Sequence, residues 1–325
     1  MSISYNSCRN RHCPPDLNRD QGEQKEAWIK AREAELLPVP YYHVVFTLPD
    51  TINPLCLYAP DKVYNLLFKT AWSVMQSFAA DPKYLGARPG MIAILHTWGQ
   101  NLSLHPHLHC IVPGGGVNKQ GKWKHKRKKG KFLFPVKAMS PVFRARFVEG
   151  LRKEFPDQSK QFFNSLFNQK WVVYAKPAFG GPQSVVAYLG RYTHKIAISN
   201  HRIKSLDNEK VTFSYKDYRH GNIQCKMSLS DQEFIRRFSQ HVLPKGFVRI
   251  RHFGFLSSGC KKEKLPLLQA ALGVVILPVL VPEEPEPYRP CPACGKKRML
   301  TVGTFTGRGP PSGLLVHLQS KLTSC

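Results

Sequence analysis

The chain has 325 residues, 42% of them hydrophobic and 11% aromatic, enough for a real core and unlike a disordered polymer. Lysine and arginine number 48 against 21 acids, a formal net charge of +27 that points to a polyanion, most simply nucleic acid. No apolar run reaches membrane-spanning length, Met1 to Asp20 lacks the apolar core of a signal peptide, and nine cysteines make an odd number; these features argue against a membrane or disulfide-built secreted protein and for a cytoplasmic one.

In chain order, Cys8, His12 and Cys13 offer half of a zinc site, with no partner pair before them, so a complete four-ligand site is not expected here. Glu23 to Leu36 is rich in helix formers and stops before Pro38. Tyr41 to Leu48, β-branched and aromatic, predicts a strand ending at Pro49. A helix follows, with Asp61 as its N-cap and Val63, Leu67, Ala71, Met75 and Phe78 on one face. Met91 to Trp98 predicts a second strand, and the turn Gly99 to Ser103 returns the chain as its antiparallel hairpin partner.

That partner carries His105-Pro-His107-Leu-His109. Alternation on an extended strand puts His107 and His109 on one face, with His105 in the same parity. An isolated His-x-His is more often a pair of surface or core histidines. As ligands, two imidazoles on a rigid strand hold a divalent metal with positions left open. A third ligand is available from Gln100 or His96, and the preference of hard ions for oxygen favours Gln100.

Beyond Gly114-Gly115-Gly116 comes a basic run containing Lys122, Lys124, Lys126, Arg127, Lys128, Lys129 and Lys131 around Trp123. Such a run is either a solvated loop or a contact for the DNA backbone. Further helices are predicted at Phe143 to Leu151 and after Gly180-Gly181-Pro182. Further strands are predicted at Trp171 to Lys176, Ile196 to Ser199, Lys210 to Lys216, Ile223 to Leu229 and Phe247 to Phe253. Ser230-x-x-Glu233 is a capping box opening a helix with Phe234, Ile235 and Phe238. Pro282 to Pro290 reads as a linker, and Cys291 and Cys294 form a knuckle whose only downstream cysteine is Cys325, so structural zinc is doubtful there too.

Tyr188, Tyr192 and Lys195 are spaced by four and three, on one face of the proline-started helix. A tyrosine stripe packed on a sheet is the ordinary reading, but Val185, Val186 and Leu189 already supply an apolar side. Near a divalent cation and a lysine, a phenolate is favoured and can attack phosphorus. No Walker-type loop is present, so no nucleotide cofactor is expected.

His107-Leu108-His109 resembles the His-hydrophobic-His (HUH) motif, and Tyr188-x-x-x-Tyr192-x-x-Lys195 the paired-tyrosine motif, of rolling-circle nicking enzymes. The phrases at 96–103, 106–116, 191–200 and 242–256 resemble two-tyrosine transposases of insertion-sequence-ninety-one type, over about residues 30–265. The resemblance implies an α+β fold: a central antiparallel sheet carries the histidine strand, helices pack on it, and the tyrosine helix lies beneath the metal site. It implies magnesium or manganese dependence, and nicking and strand transfer of single-stranded DNA, at transposon ends and target, through a 5′-phosphotyrosine. It also implies a bacterial setting.

The sequence departs from the family at its start: Cys8 to Cys13 looks like the tail of a zinc-binding domain, and Pro-Pro-Asp follows Cys13. The expected organisation is a zinc-domain remnant and leading helix (1–37), a nuclease domain (38–265), and a tail with helix, linker and Cys-x-x-Cys (266–325). The rivals are a replication initiator or relaxase with the same chemistry, a truncated DNA-binding copy without catalysis, and a metal-dependent hydrolase using the histidine face alone.

Overall fold

The computed structural model describes residues 31–126, 133–176, 179, 184–185, 188, 197–217, 220–273, 288–290 and 297–300. The chain divides into two units, one spanning Ala31–Val275 and the other pairing residues 1–30 with 276–325. In the second unit the described residues are an antiparallel pair of strands, Tyr288–Pro290 and Lys297–Leu300. The expected zinc ligands Cys8, His12, Cys13, Cys291 and Cys294 lie outside the described residues.

The first unit is built on a five-stranded, all-antiparallel sheet, which bears out the α+β expectation. Its strands are β1 (Tyr41–Thr47), β2 (Gly90–Trp98), β3 (Leu104–Pro113), β6 (Val172–Lys176) and β10 (Ile250–Gly254), in the order β10-β2-β3-β1-β6. The histidine strand β3 is therefore central, with a partner on each side, and β2 is its hairpin neighbour as expected. Tyr42, Val44 and Phe46 of β1 and Leu104, Leu108, Cys110 and Val112 of β3 share one face of the sheet. Two helices cover it, α2 (Pro60–Ala80) and α3 (Val136–Glu154). Phe143 on α3 meets Phe46 edge-on, with ring centroids 5.0 Å apart. Gly150 on α3 lies close against the Leu66 side chain of α2, and a Cβ there would force that leucine to shift.

A smaller three-stranded sheet consists of β7 (Ile203–Asp207), β8 (Lys210–Asp217) and β9 (Ile223–Ser230), followed by helix α5 (Asp231–Ser239). Its core joins Phe213, Ala197 and Ile198 to Trp98 and Leu102 at the β2–β3 turn, with Met227, Leu229, Phe234 and Phe238 packed around them. Leu102 adopts φ +63°, a left-handed conformation uncommon for leucine, while its side chain is fully buried in that core. His241 ties the same turn down, with Nδ1 3.2 Å from Thr97 Oγ1 and Nε2 donating to the Leu102 carbonyl at 3.1 Å.

Several local expectations change. Ala59, not Asp61, is the N-cap of α2, because Pro60 takes the first helical position and leaves Asp61 in the first turn. Ala197 and Ile198 form bends leading into a short turn at Asn200–Arg202; the strand begins only at Ile203. The last basic strand starts at Ile250, since the chain up to Arg249 runs through a turn. Short helices α1 (Asn53–Tyr58) and α4 (Lys160–Asn168) were not expected, nor was the pairing of β4 (Gly115–Val117) with β5 (Trp123–His125). The Ser230 cap holds, its hydroxyl accepting from Glu233 N at 3.3 Å. The Glu233 carboxylate instead turns to Arg236 and Arg237, which keep it well below the usual range, at about 2.

Candidate metal centre and tyrosine site

The sheet face opposite α2 and α3 carries the histidines. Register places His96 of β2 directly across from His107 of β3, and Val45 of β1 across from His109. His96, His107 and His109 form a cluster whose ligand nitrogens lie within 4.8 Å of one another, among the described residues. His96 is 2% exposed and stacks on Trp98, with centroids 4.7 Å apart and planes 16° from parallel. That stacking fixes its ring from behind.

The hydrogen-bond pattern suits a cation. His107 Nδ1 donates to the carbonyl of His105 at 2.6 Å, which leaves Nε2 with its lone pair outward. Nε2 of His109 lies 3.1 Å from that same Nε2. Two ring nitrogens facing each other so closely suit a positive charge between them. Gln100 sits on the β2–β3 turn, where its main-chain carbonyl accepts from the guanidinium of Arg202. His105 shares the parity of the pair but turns toward Asp50, 3.9 Å away.

The far edge of the His109 ring meets a tyrosine. Tyr188, helical and half-buried, places Oη 2.9 Å from His109 Nδ1 and 2.9 Å from His43 Nε2. His43 Nε2 is itself 2.8 Å from His109 Nδ1, with the two rings nearly coplanar, 12° from parallel and centroids 5.1 Å apart. Burial holds His43 far below the ordinary histidine range, at about 4, with the positive charges of Lys176 and His107 adding to the effect. Sequence reasoning passed over His43 as one polar residue in a strand of apolar neighbours. Its parity was the available signal, since His43 alternates with the core residues Tyr42 and Val44. Tyr192 and Lys195 lie outside the described residues.

Of the basic run, Lys122, Lys124 and Lys126 are described; Arg127, Lys128, Lys129 and Lys131 are not. Lys122 is exposed, whereas Lys124 Nζ reaches the Gly86 carbonyl at 3.4 Å and Lys126 Nζ lies 5.0 Å above the Tyr42 ring. Trp123 packs edge-on against Phe255, with centroids 5.6 Å apart.

Comparison with known proteins decides the family. A family model described as "Putative transposase" matches residues 90–264, more than half of the chain, and takes in the histidine cluster and both tyrosines. The chain belongs to this transposase family. A second model, described as a transposase zinc-binding domain, matches residues 1–48, which include Cys8, His12, Cys13 and β1. A transposase relative from Sinorhizobium fredii, "Putative transposase y4qJ", is 44% identical over 95% of this chain and 84% of its own length. The transposase for insertion sequence element IS801 of Pseudomonas savastanoi pv. phaseolicola is 31% identical over 82% of this chain and 65% of its own. The second agrees with the insertion-sequence resemblance. Among solved structures, the metal-bound conjugative relaxase TrwC with oriT DNA aligns over 71% of this chain and 70% of its own. The TM-score is 0.28 at 8% identity, too low to carry an argument. No helix among the described residues is long and apolar enough to cross a membrane.

Proposed function

We propose that this transposase nicks and transfers single-stranded DNA through a 5′-phosphotyrosine, in rolling-circle transposition within the bacterial cytoplasm. The observation that carries the reading is the 2.9 Å contact between Tyr188 Oη and His109 Nδ1, on the ring whose other nitrogen belongs to the three-histidine cluster. His107, His109 and His96 would hold a divalent cation, magnesium or manganese, with Gln100 the alternative third ligand. When bound, that ion supplies polarisation of a phosphodiester oxygen.

The chain's own residues do the rest. The Tyr188 oxygen attacks phosphorus, the bond to the 3′ oxygen breaks, and that oxygen leaves as a hydroxyl after taking a proton. The 5′ phosphate stays on the tyrosine, so bond energy is retained and no nucleotide cofactor is needed. Tyr192, four residues on, supplies a second nucleophile while the first end is still held, and Lys195 neutralises charge on phenolate or phosphate. The lysines at 122–131 supply affinity for the backbone without sequence preference. The rivals are a replication initiator or relaxase with the same chemistry, against which the insertion-sequence relative speaks, and a non-catalytic copy or a hydrolase using only the histidines, which give no role to a tyrosine oxygen held against a ligand ring.

Incubation with labelled single-stranded DNA and manganese is expected to give an adduct that survives SDS. Tyr188→Phe and Tyr192→Phe each leave some single cleavage but no complete strand transfer, and the double variant forms no adduct. An adduct from the double variant means that the nucleophile lies elsewhere.

A further inference from the structure

His43 lies in the middle of β1, paired to β3 on one side and β6 on the other, and is 3% exposed. Neither ladder needs a polar side chain there; the neighbouring positions are Val44 and Val45. The imidazole also carries a cost, because its Nδ1 is buried with no hydrogen-bond partner among the described residues. An unsatisfied buried nitrogen costs stability, which a valine would avoid. A histidine at this position is best explained by its other nitrogen.

We propose that His43 is a positioning residue, whose Nε2 holds the ring of His109 and the hydroxyl of Tyr188 together. The inference rests on the reading of His109 as a ligand and Tyr188 as a nucleophile. The three atoms His43 Nε2, His109 Nδ1 and Tyr188 Oη are 2.8, 2.9 and 2.9 Å apart. If His109 offers Nε2 toward His107, its ring proton resides on Nδ1. Two N–H groups cannot face each other at 2.8 Å, so His43 Nε2 is the acceptor of that proton and carries a lone pair. The same lone pair is within reach of the tyrosine O–H. One nitrogen, on a strand fixed by two backbone ladders, thus sets both the rotation of the ligand and the position of the attacking oxygen. His43 acts on phosphorus only through these two groups.

The test uses the full chain with His43→Leu, which removes the acceptor, and His43→Gln, whose amide reaches the former Nε2 position. His43→Leu is expected to slow adduct formation by about tenfold or more while oligonucleotide affinity changes less than about twofold. His43→Gln is expected to recover the rate to within about threefold of wild type. A second readout needs no DNA or turnover: manganese affinity should weaken in the Leu variant and return in the Gln variant. In metal-free protein, the ring N–H of His109, followed by nitrogen-15 NMR, should lose its protection from exchange only in the Leu variant. Should His43→Leu fail to fold, His43→Asn replaces it, since its shorter amide cannot reach. Wild-type rates in the Leu or Asn variant, or a Gln variant as impaired as either, would overturn the proposal. Failure of the tyrosine reading shows separately, as an adduct in the double Tyr→Phe protein, and leaves the metal and NMR readouts standing.

Discussion

On the helix-covered side of β3, Leu104, Leu108, Cys110 and Val112 are all 7% exposed or less; on the other side His105, His107 and His109 alternate with them, half-buried. The covered side contributes area removed from water, about 25 cal/mol per Å². The other side contributes lone pairs and protons, arranged by the neighbouring strands β1 and β2. Alternation thus assigns stability and chemistry to different residues of a single strand, and each can be perturbed while the other is watched.

The largest expected effect lies on the histidine side. His109→Ala should fold, keep a melting temperature near that of the wild type, and lose manganese-dependent adduct formation. Equal nicking by variant and wild type would remove the ligand assignment and blur the division between the faces. Leu108→Ala should do the reverse, costing about 2–5 kcal/mol in a denaturant titration because it opens a cavity against α2 and α3. The residual folded fraction should still form adduct.

A subtler probe is His252 on the edge strand β10, on the histidine side but outside the cluster. Burial, then the charges of Arg32 and Lys261, depress it from 6.5 to about 4. A depressed folded-state value stabilises the fold above the unfolded value and is lost as pH falls from about 6.5 through 4. His252→Phe should therefore lose less stability over that window, by on the order of 1–3 kcal/mol, with adduct formation at neutral pH unchanged. A loss of activity would extend the chemical zone to the sheet edge. The smallest effect belongs to the basic run. Replacing Lys122, Lys124 and Lys126 should weaken binding to all single strands alike and flatten the salt dependence by about 0.7 for each phosphate no longer neutralised.

The sequence made the strand and its polarity legible, because a period of two and a single hairpin turn are local signals. The pair His107 and His109, the hairpin with β2 and the Ser230 cap follow from such signals. His43 does not: its contact with His109 spans 66 residues and depends on the register of two strands that no local pattern sets. The candidate third ligand, His96 or Gln100, shows the limit differently. The chemical argument for an oxygen donor favoured Gln100, while the hairpin register puts His96 across from His107, an alignment that a count through the Gly99–Ser103 turn approaches but a bulge near Trp98 obscures. The strand expected at Ile196 to Ser199 fails for a related reason, since Ala197 and Ile198 are apolar to fill a core, not to form a ladder.

The alternation on β3 also bears on how a mobile element decays as its copies accumulate errors. A substitution at one position of this strand removes one packing partner or one ligand and leaves the others facing as before. Loss of a single codon inside it is different, because every side chain beyond the deletion swaps sides. Imidazoles would enter the hydrocarbon interior and Leu108 would turn toward the histidine face, so folding and chemistry would fail together. Copies that have drifted far while remaining functional should therefore vary in composition along this strand and hold its length constant.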